Sequence, residues 1–337
     1  MKNLITNQFV ILLITGGTII TNSFAQDING GPVNVPASGI VDGVYITEHV
    51  PTKRMIPYEF VREADVIWSR RVWESIDLRE KINHPLYFPF DDYDASNNWV
   101  KNSSRWSLWT VLKTHILNGD LRVFSPYNPL QFDLTDGDQL KYPIDPQSGQ
   151  NYYSDSAYRN ILFSYLGSLG QQSVTPISTF DGRDSTVEIN GIIEFVYPKR
   201  DTTWVMSKDI IQYHLKEDWF FDKERSVMDV RIIAIAPVIY NKDQDGQITG
   251  TKELFWLYFP HCRFVLNNYF CYNTKNDAQW MSFDDLFWKR RFTCSIYKES
   301  NVYDRKVESY KAGADALYEA DKIKEEIRTI EHDVWNF

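Results

Sequence analysis

Residues 226–260 read SVMDVRIIAIAPVIYNKDQDGQITGTKELFWLYFP and contain two apolar runs on either side of a polar segment. The first run, 226–240, is long and rich in Val and Ile, which are residues favoured in strands. The second run, 253–260, is dominated by aromatic and aliphatic residues. We predict a strand from each run, joined as a β-hairpin.

The connecting segment, 241–250, resembles the first half of a helix-loop-helix calcium loop, because Asp243, Asp245 and Gly246 occupy suitable positions. That loop needs a bidentate glutamate at its twelfth position, and Lys252 stands there. It also needs a helix on each side, where this sequence has two strand-like runs. We therefore interpret the segment as a hairpin turn, in which Asn, Asp and Gly are common.

Further strands and helices are predicted on both sides of the hairpin. Residues 185–190 and 192–198 have strand composition, 208–222 is a helix or a mixed element, and 292–297 is a closing strand. Residues 281–292 predict a helix capped by Ser282, with acidic residues in its first turn. No nucleotide-binding fingerprint accompanies these elements. The prediction is an α+β fold, a mixed antiparallel sheet with packed helices.

Two helices and a short strand are predicted nearer the N-terminus. Residues 62–83 place Val66, Trp73, Ile76 and Ile82 near helical spacing, ahead of Pro85. A second helix is capped by Ser103 or Ser104 and ends at Asn118-Gly119. Residues 121–126 alternate as a short strand. The turn-rich stretch 125–156 is interpreted as a possible subdomain boundary or a surface excursion.

Both ends of the chain differ from this predicted core, 58–302. Residues 1–25 have the pattern of a secretory signal peptide, since Lys2 is followed by an apolar run and by small residues before Gln26. Residues 26–57 are rich in glycine and proline and predict a flexible, extended N-terminal arm. Residues 303–337 carry one apolar stripe on a charged background and predict a long amphipathic C-terminal helix. That helix packs on its own domain or on a neighbouring subunit.

Charge and aromatic content narrow the classes of partner. The formal net charge is −9, and loss of the signal peptide makes it −10, which argues against a nucleic-acid partner and against docking on anionic lipid. The expected location is the periplasm, with no direct membrane insertion. Eleven Trp and 15% aromatic residues suit a large core or broad protein contact surfaces.

A search for chemistry in the sequence returns no catalytic, cofactor-binding or metal site. The six histidines never stand at i, i+4, and His261-Cys262 with Cys271 and Cys294 lacks the paired spacing of a zinc site. Asp91-Asp92 and Asp284-Asp285 are adjacent acids, but adjacency in sequence does not give the distance between two carboxyl groups that a catalytic pair needs. Whether Cys262, Cys271 and Cys294 form a disulfide is left open, since three thiols cannot all pair within one chain.

Several long aromatic-rich strings together resemble one family. They are 62–89, 216–237, 252–263, 276–292 and 298–305, and the resemblance extends roughly over residues 40–305. In this order they resemble the gliding-motility protein family GldN, called PorN in non-gliding relatives, of the type IX secretion system. The resemblance implies a non-enzymatic periplasmic subunit, peripheral to the outer membrane. It also implies a ring built with an outer-membrane lipoprotein of the GldK or PorK type, and contact with the periplasmic part of a GldM or PorM motor protein.

Three functional hypotheses follow. The first is a structural assembly subunit with no cofactor, as the resemblance implies. The second is a periplasmic ligand-binding module, for example for glycan, which requires a concave site lined by Trp with Asp or Asn. The third is an exported hydrolase, which requires two carboxyl groups that converge in a cleft.

Overall fold

The computed structural model describes residues 55–94, 98–102, 105–129, 136–170, 176–177, 185–189, 192–197, 202–243, 246–276 and 281–335. The predicted signal peptide, 1–25, and all of the predicted arm, 26–57, except its last three residues lie outside this part of the chain. The sixteen strands in the described part are β1 Val66–Asp77, β2 Asp92–Tyr93, β3 Trp99–Val100, β4 Val123–Phe124, β5 Pro143–Ile144, β6 Gly167–Leu169, β7 Thr186–Ile189, β8 Ile192–Phe195, β9 Thr202–Trp204, β10 Ile210–Asp222, β11 Val227–Lys242, β12 Ile248–Glu253, β13 Trp256–Tyr258, β14 Phe270–Cys271, β15 Met281–Ser282 and β16 Ser295–Glu299. The six helices there are α1 His84–Tyr87, α2 Leu108–Asn118, α3 Ser156–Leu166, α4 Phe259–Leu266, α5 Phe283–Trp288 and α6 Ala314–Trp335.

One eight-stranded sheet organises the molecule. Its strands lie in the order β16-β1-β10-β11-β13-β4-β5, with β12 also paired to β11, and every pairing is antiparallel. The three longest strands, β1, β10 and β11, are adjacent at its centre. The predicted α+β class, an antiparallel sheet with packed helices, is confirmed.

The predicted hairpin is present. Strands β11 and β12 pair in antiparallel register, with Asn241 opposite Gly250. The turn is closed by the amide of Gln247, which donates to the Asp243 carboxylate at 2.8 Å, while Gly246 adopts a φ of +77°. The second apolar run forms less strand than predicted, because β13 ends at Tyr258 and α4 begins at Phe259. Pro260 lies in the first turn of α4, where the missing amide proton costs nothing.

The helix predicted for 62–83 is wrong, because Val66–Asp77 is strand β1 at the heart of the sheet. Residues 72–76 of β1 are all buried, since helices cover one face of the strand and aromatic side chains cover the other. A strand covered on both faces loses its two-residue alternation, so its apolar residues can match helical spacing by chance. The helical alternative for 208–222 is wrong for the same reason, since Ile210–Asp222 is strand β10 with burial on both faces.

Helix α2 is confirmed, with a later start than predicted. Its cap is Ser107, whose hydroxyl accepts a hydrogen bond from the Thr110 amide, whereas Ser103 and Ser104 lie outside the described residues. Gly119 ends the helix in the left-handed conformation, φ +85°, as the Asn-Gly pair predicts. The helix at 281–292 is also confirmed as α5, and the Ser282 hydroxyl caps it by accepting from the Asp285 amide.

The main core lies on one face of the sheet. Leu215, Ile235 and Leu257 stand opposite one another on neighbouring strands and share that face. The helices α2, α3, α4 and α5 cover it with side chains that include Leu112, Leu162, Leu266 and Phe283. The stretch 125–156 joins this unit through β5, which pairs with β4, and through Ile144 and Tyr152 in the core.

Helix α6 packs against the same chain. Ala320, Ile323 and Ile327 bury one stripe against Val72 of β1 and Ile296 of β16. The helix begins at Ala314, so it is shorter than the thirty residues suggested by the apolar stripe. The segment before it contributes Val307 to the same cluster.

A second aromatic cluster lies on the opposite face of the sheet. Trp73, Phe124, Ala234, Ala236 and Trp256 are buried there. The two alanines of β11 leave room for the large rings that reach over from the neighbouring strands. This face carries the cleft described below.

Candidate interaction surface

Four of the described histidines take part in separate, local contacts. His115 Nδ1 lies 2.7 Å from the Asp120 carboxylate, and its Nε2 lies 2.9 Å from the Tyr269 hydroxyl. His214 Nδ1 lies 2.8 Å from Glu253, while His84 and His261 pack edge-on against Phe88 and Tyr258. Within the described residues, no group of three or more His, Cys, Asp or Glu is placed to hold a metal ion.

All three cysteines are free thiols. Cys262 lies on helix α4, next to His261 in the sequence. Burial raises the pKa of Cys262 and that of Cys271 to about 12, which keeps both thiols protonated and poorly nucleophilic at neutral pH. Burial and the neighbouring Glu74 carboxylate raise the pKa of Cys294 still further.

The adjacent acid pairs act as structural hydrogen-bond acceptors. Asp91 accepts from the Ser207 amide at 2.7 Å and from the Trp99 indole at 2.6 Å. Asp284 accepts two hydrogen bonds from Arg263, at 2.7 and 3.1 Å. Both carboxylates are buried, so these bonds satisfy groups that would otherwise be costly to bury.

Two other carboxyl groups converge between β1 and β10. Glu74 and Glu217 are both fully buried and both bind Arg290, whose Nη2 donates to Glu74 at 2.9 Å and whose Nη1 donates to Glu217 at 2.8 Å. Cys294 Sγ donates to the same Glu74 oxygen at 2.8 Å. Burial and the like charge of Glu74 raise the pKa of Glu217 to about 7.

This pair does not have the arrangement of a glycosidase. Glu217 is enclosed, and its two oxygens are held by one guanidinium at 2.8 and 2.9 Å. Glu74 lines a cavity of about 450 Å³ beneath α6, beside Trp219 and Lys324. Only one of the two carboxyl groups therefore borders this space, whereas acid–base hydrolysis needs both groups to reach the same bond.

The tryptophans mostly stabilise the interior. Trp73, Trp109 and Trp256 are buried, whereas the side chain of Trp288 is 43% exposed. Trp288 lies against Tyr58 and Arg263. A concave site with Trp and Asp does exist around Trp73, Trp256 and Asp138, but its volume is about 120 Å³ and its indole faces are covered. Such rings offer no open platform on which a sugar could stack.

Lys113 illustrates how the aromatic residues are used. Its side chain is fully buried on α2, and its ammonium donates to the Tyr93 hydroxyl and to the Val205 carbonyl, both at 2.8 Å. The rings of Tyr93, Trp99 and Trp204 lie 4.8–5.3 Å from the nitrogen, in cation–π geometry. Burial lowers the pKa of Lys113 to about 8. This lysine joins three segments that are distant in sequence.

One exposed aromatic group is contiguous. The rings of Tyr87, Phe88 and Phe90, here called the aromatic patch, lie 4.7–5.0 Å apart, and Phe88 and Phe90 are 39% and 41% exposed. The Tyr87 hydroxyl donates to the carbonyl of Lys208, immediately before β10. Clustered aromatic side chains of this kind are enriched in protein interfaces.

A second exposed apolar group lies near the start of α6. Val302 and Tyr303 precede the helix and are 98% and 73% exposed, while Leu317 and Tyr318 on the helix are 61% and 73% exposed. Ala316, like Trp68 and Trp219, is partly buried and packs against the cluster that α6 covers.

These exposed apolar groups do not belong to a membrane-spanning helix. In the described part of the chain, no helix combines the length and the apolar character that a bilayer crossing requires.

Comparison with known proteins gives one family. The family model described as "Gliding motility associated protein GldN" matches residues 61–336. The match includes β1, the stretch 125–156 and all of α6. No curated protein matches the chain.

Proposed function

Since the chain belongs to the GldN family, whose members are components of gliding motility and type IX secretion, we propose that it is a non-enzymatic periplasmic structural subunit of that machinery. In this proposal it forms a ring with an outer-membrane lipoprotein of the GldK or PorK type. It also contacts the periplasmic domain of a motor protein of the GldM or PorM type. The observation that carries the proposal is the family match over 61–336.

The exposed apolar groups support an assembly role. A ring made of identical subunits needs two different faces that meet head to tail. The aromatic patch and the group around Leu317 and Tyr318 are two different surfaces that are both apolar and exposed, as such a contact requires. We assign the aromatic patch to a protein contact because its three rings are contiguous and aromatic side chains are enriched in protein interfaces.

Purification from native envelopes tests the proposal. We expect a tagged chain to be recovered in very large particles with an outer-membrane lipoprotein, and cross-linking with mass spectrometry to join it to a periplasmic motor domain. Recovery only as a free monomer would overturn the proposal.

Variants of the aromatic patch test its assignment. We expect Phe88→Ser with Phe90→Ser to reduce the yield of large particles while circular dichroism remains unchanged. Ile161→Ser is the matched control, because Ile161 is 52% exposed on α3 and lies outside the patch. Equal assembly of the double variant and the control would contradict the assignment of the patch.

A further inference from the structure

A lysine-rich cleft lies on the sheet face opposite the main core. It encloses about 120 Å³, and four lysines line it: Lys216, Lys252, Lys298 and Lys306. This lysine cleft is basic although the chain as a whole carries a formal net charge of −9. Two acids, Asp138 and Glu253, also line it, so the positive charges exceed the negative ones by two with His214 neutral.

The strand register builds the cleft. Trp73 of β1 stands directly opposite Lys216 on β10 and opposite Lys298 on β16, so these three side chains project from one face of the sheet. Lys216 in turn stands opposite Ala234 of β11, whose small side chain leaves space above the sheet. A backbone bridge between Lys298 and Lys306 brings the fourth lysine to the same edge.

Each ammonium group lies beside an aromatic ring of the cleft wall. The nitrogens of Lys298 and Lys216 lie 4.5 and 5.5 Å from the ring of Trp73. Lys252 lies 5.8 Å from the ring of Tyr127, and Lys306 lies 5.8 Å from that of Tyr297. The four lysines therefore line one cleft beside aromatic rings, and Lys306 at its edge is also exposed to solvent.

The two acids of the cleft are already engaged. Asp138 accepts from the Trp73 indole at 3.1 Å, and its carbonyl accepts from Lys216 at 2.8 Å. Glu253 lies 2.8 Å from His214 Nδ1 and accepts from the Trp256 indole at 3.0 Å. Although burial acts to raise it, these bonds and the charges of His214 and Lys306 hold the pKa of Glu253 below its usual value.

Two of the lysines keep free charge. Lys298 pairs with Asp304 at 2.7 Å, and Lys216 lies 3.4 Å from the Asp138 carboxylate. Within the described part of the chain, neither Lys252 nor Lys306 has an acid oxygen within ion-pair distance. An anion in the cleft would be met by these two ammonium groups, which make no direct ion pair there, although the charge of Lys306 also acts on Glu253.

The size and walls of the cleft define the ligand. Pockets for whole small molecules usually enclose roughly 300–1,000 Å³, so this cleft admits a single functional group. Its aromatic walls favour an anion carried on a short alkyl stem over a fully hydrated inorganic ion. Resting on the proposed assembly role, we propose that the lysine cleft receives an acidic side chain, aspartate or glutamate, of a partner protein in the complex.

Charge reversal at the two free lysines tests the proposal in the native envelope. We expect Lys252→Glu with Lys306→Glu to lower recovery of the lipoprotein partner at least tenfold, because two like charges brought together across an interface cost more than a factor of ten in affinity. The neutral pair Lys252→Gln and Lys306→Gln should lower it less. Lys311→Glu with Lys322→Glu is the control, since both side chains are exposed and lie outside the cleft. Loss of the partner in the control alone, or in no variant, would overturn the cleft assignment.

A second measurement needs no partner. In the purified mature chain with dimethylated lysines, which keep their charge, N-acetyl-glutamate amide should shift the methyl NMR signals of Lys252 and Lys306 and leave that of Lys311 unchanged. The neutral N-acetyl-glutamine amide should shift none of them. A larger response to inorganic phosphate, or equal shifts at Lys311, would overturn the assignment to an acidic side chain. If wild-type chain forms no large particles but shows these shifts, the assembly role fails and the anion site stands.

Discussion

Replacing Asp284 by asparagine isolates a buried positive charge, and its cost can be worked from the structure. Arg263 on α4 and Asp284 on α5 are joined by two contacts of 2.7 and 3.1 Å, and their side chains are only 2% and 8% exposed. The guanidinium also donates to the carbonyl of Ile56 at 2.7 Å and lies between the rings of Tyr58 and Trp288, 4.3 and 4.8 Å from their centroids. The pair therefore connects the first described residues to two helices.

We expect Asp284→Asn to lower the free energy of unfolding by about 3–5 kcal/mol, because removal of one partner leaves a buried charge without its counterion. The double variant Arg263→Met with Asp284→Leu should cost less than the sum of its two single variants, since it removes both desolvated charges together. Urea unfolding followed by far-UV circular dichroism measures all four free energies of one double-mutant cycle.

The chain offers a matched control at the surface. Arg71 and Asp218 form the same kind of two-point contact, at 2.6 and 2.7 Å, but their side chains are 44% and 30% exposed. Asp218→Asn should therefore cost less than about 1 kcal/mol. Burial is the main difference between the two pairs, so equal losses for Asp284→Asn and Asp218→Asn would refute the reasoning.

Three further outcomes follow from the structure. The raised pKa of Glu217 means that the folded chain holds a proton that the unfolded chain releases, so stability should fall as the pH rises from about 4.5 to about 7; Glu217→Gln should reduce that fall in pH-dependent urea unfolding, and an unchanged slope would contradict it. Gly137→Ala should lower the melting temperature, because a Cβ there would clash with the backbone of Ser125 and Pro126, whereas Gly250→Ala, with open space around it, should leave the melting temperature nearly unchanged. Ile327→Ala should cost about 2–5 kcal/mol in urea unfolding if α6 packs on its own sheet, while Leu317→Ala should cost under about 0.5 kcal/mol, and similar losses at the two positions would contradict that packing.

The elements with local signals were the predictable part of the fold. The hairpin at 241–250 has its Asn, Asp and Gly, α2 has its Gly119 stop, and α5 has its Ser282 cap, and each of these depends on nearby residues alone. Strand β1 had no such signal. Its burial comes from α6 on one face and from the aromatic cluster that includes Trp256 on the other, both of which lie far along the chain, so periodicity within 62–83 could not reveal it.

The same error concealed the lysine cleft. When 66–77 is a strand, Trp73 lies opposite Lys216 and Lys298 on the two neighbouring strands. A helix at 66–77 does not allow these strand pairings. His214 and Lys216 are two residues apart, so they lie on the same face of β10, and this spacing was the available signal for the cleft. It could not be used while 208–222 was assigned to a helix or a mixed element. The buried triad of Glu74, Glu217 and Arg290 likewise depends on strand pairing that no local pattern encodes.

Because Lys113 is enclosed, the rate at which its side chain is chemically labelled reports the opening of this region. An amine-labelling reagent, or trypsin, reaches the Lys113 side chain only after α2 separates from the rings of Trp99 and Trp204. Labelling at Lys113 by mass spectrometry therefore times how often this region opens, whereas the exposed Lys311 responds at once. The ratio of the two labelling rates would follow the molecule from free subunit to assembled particle without any change to its sequence.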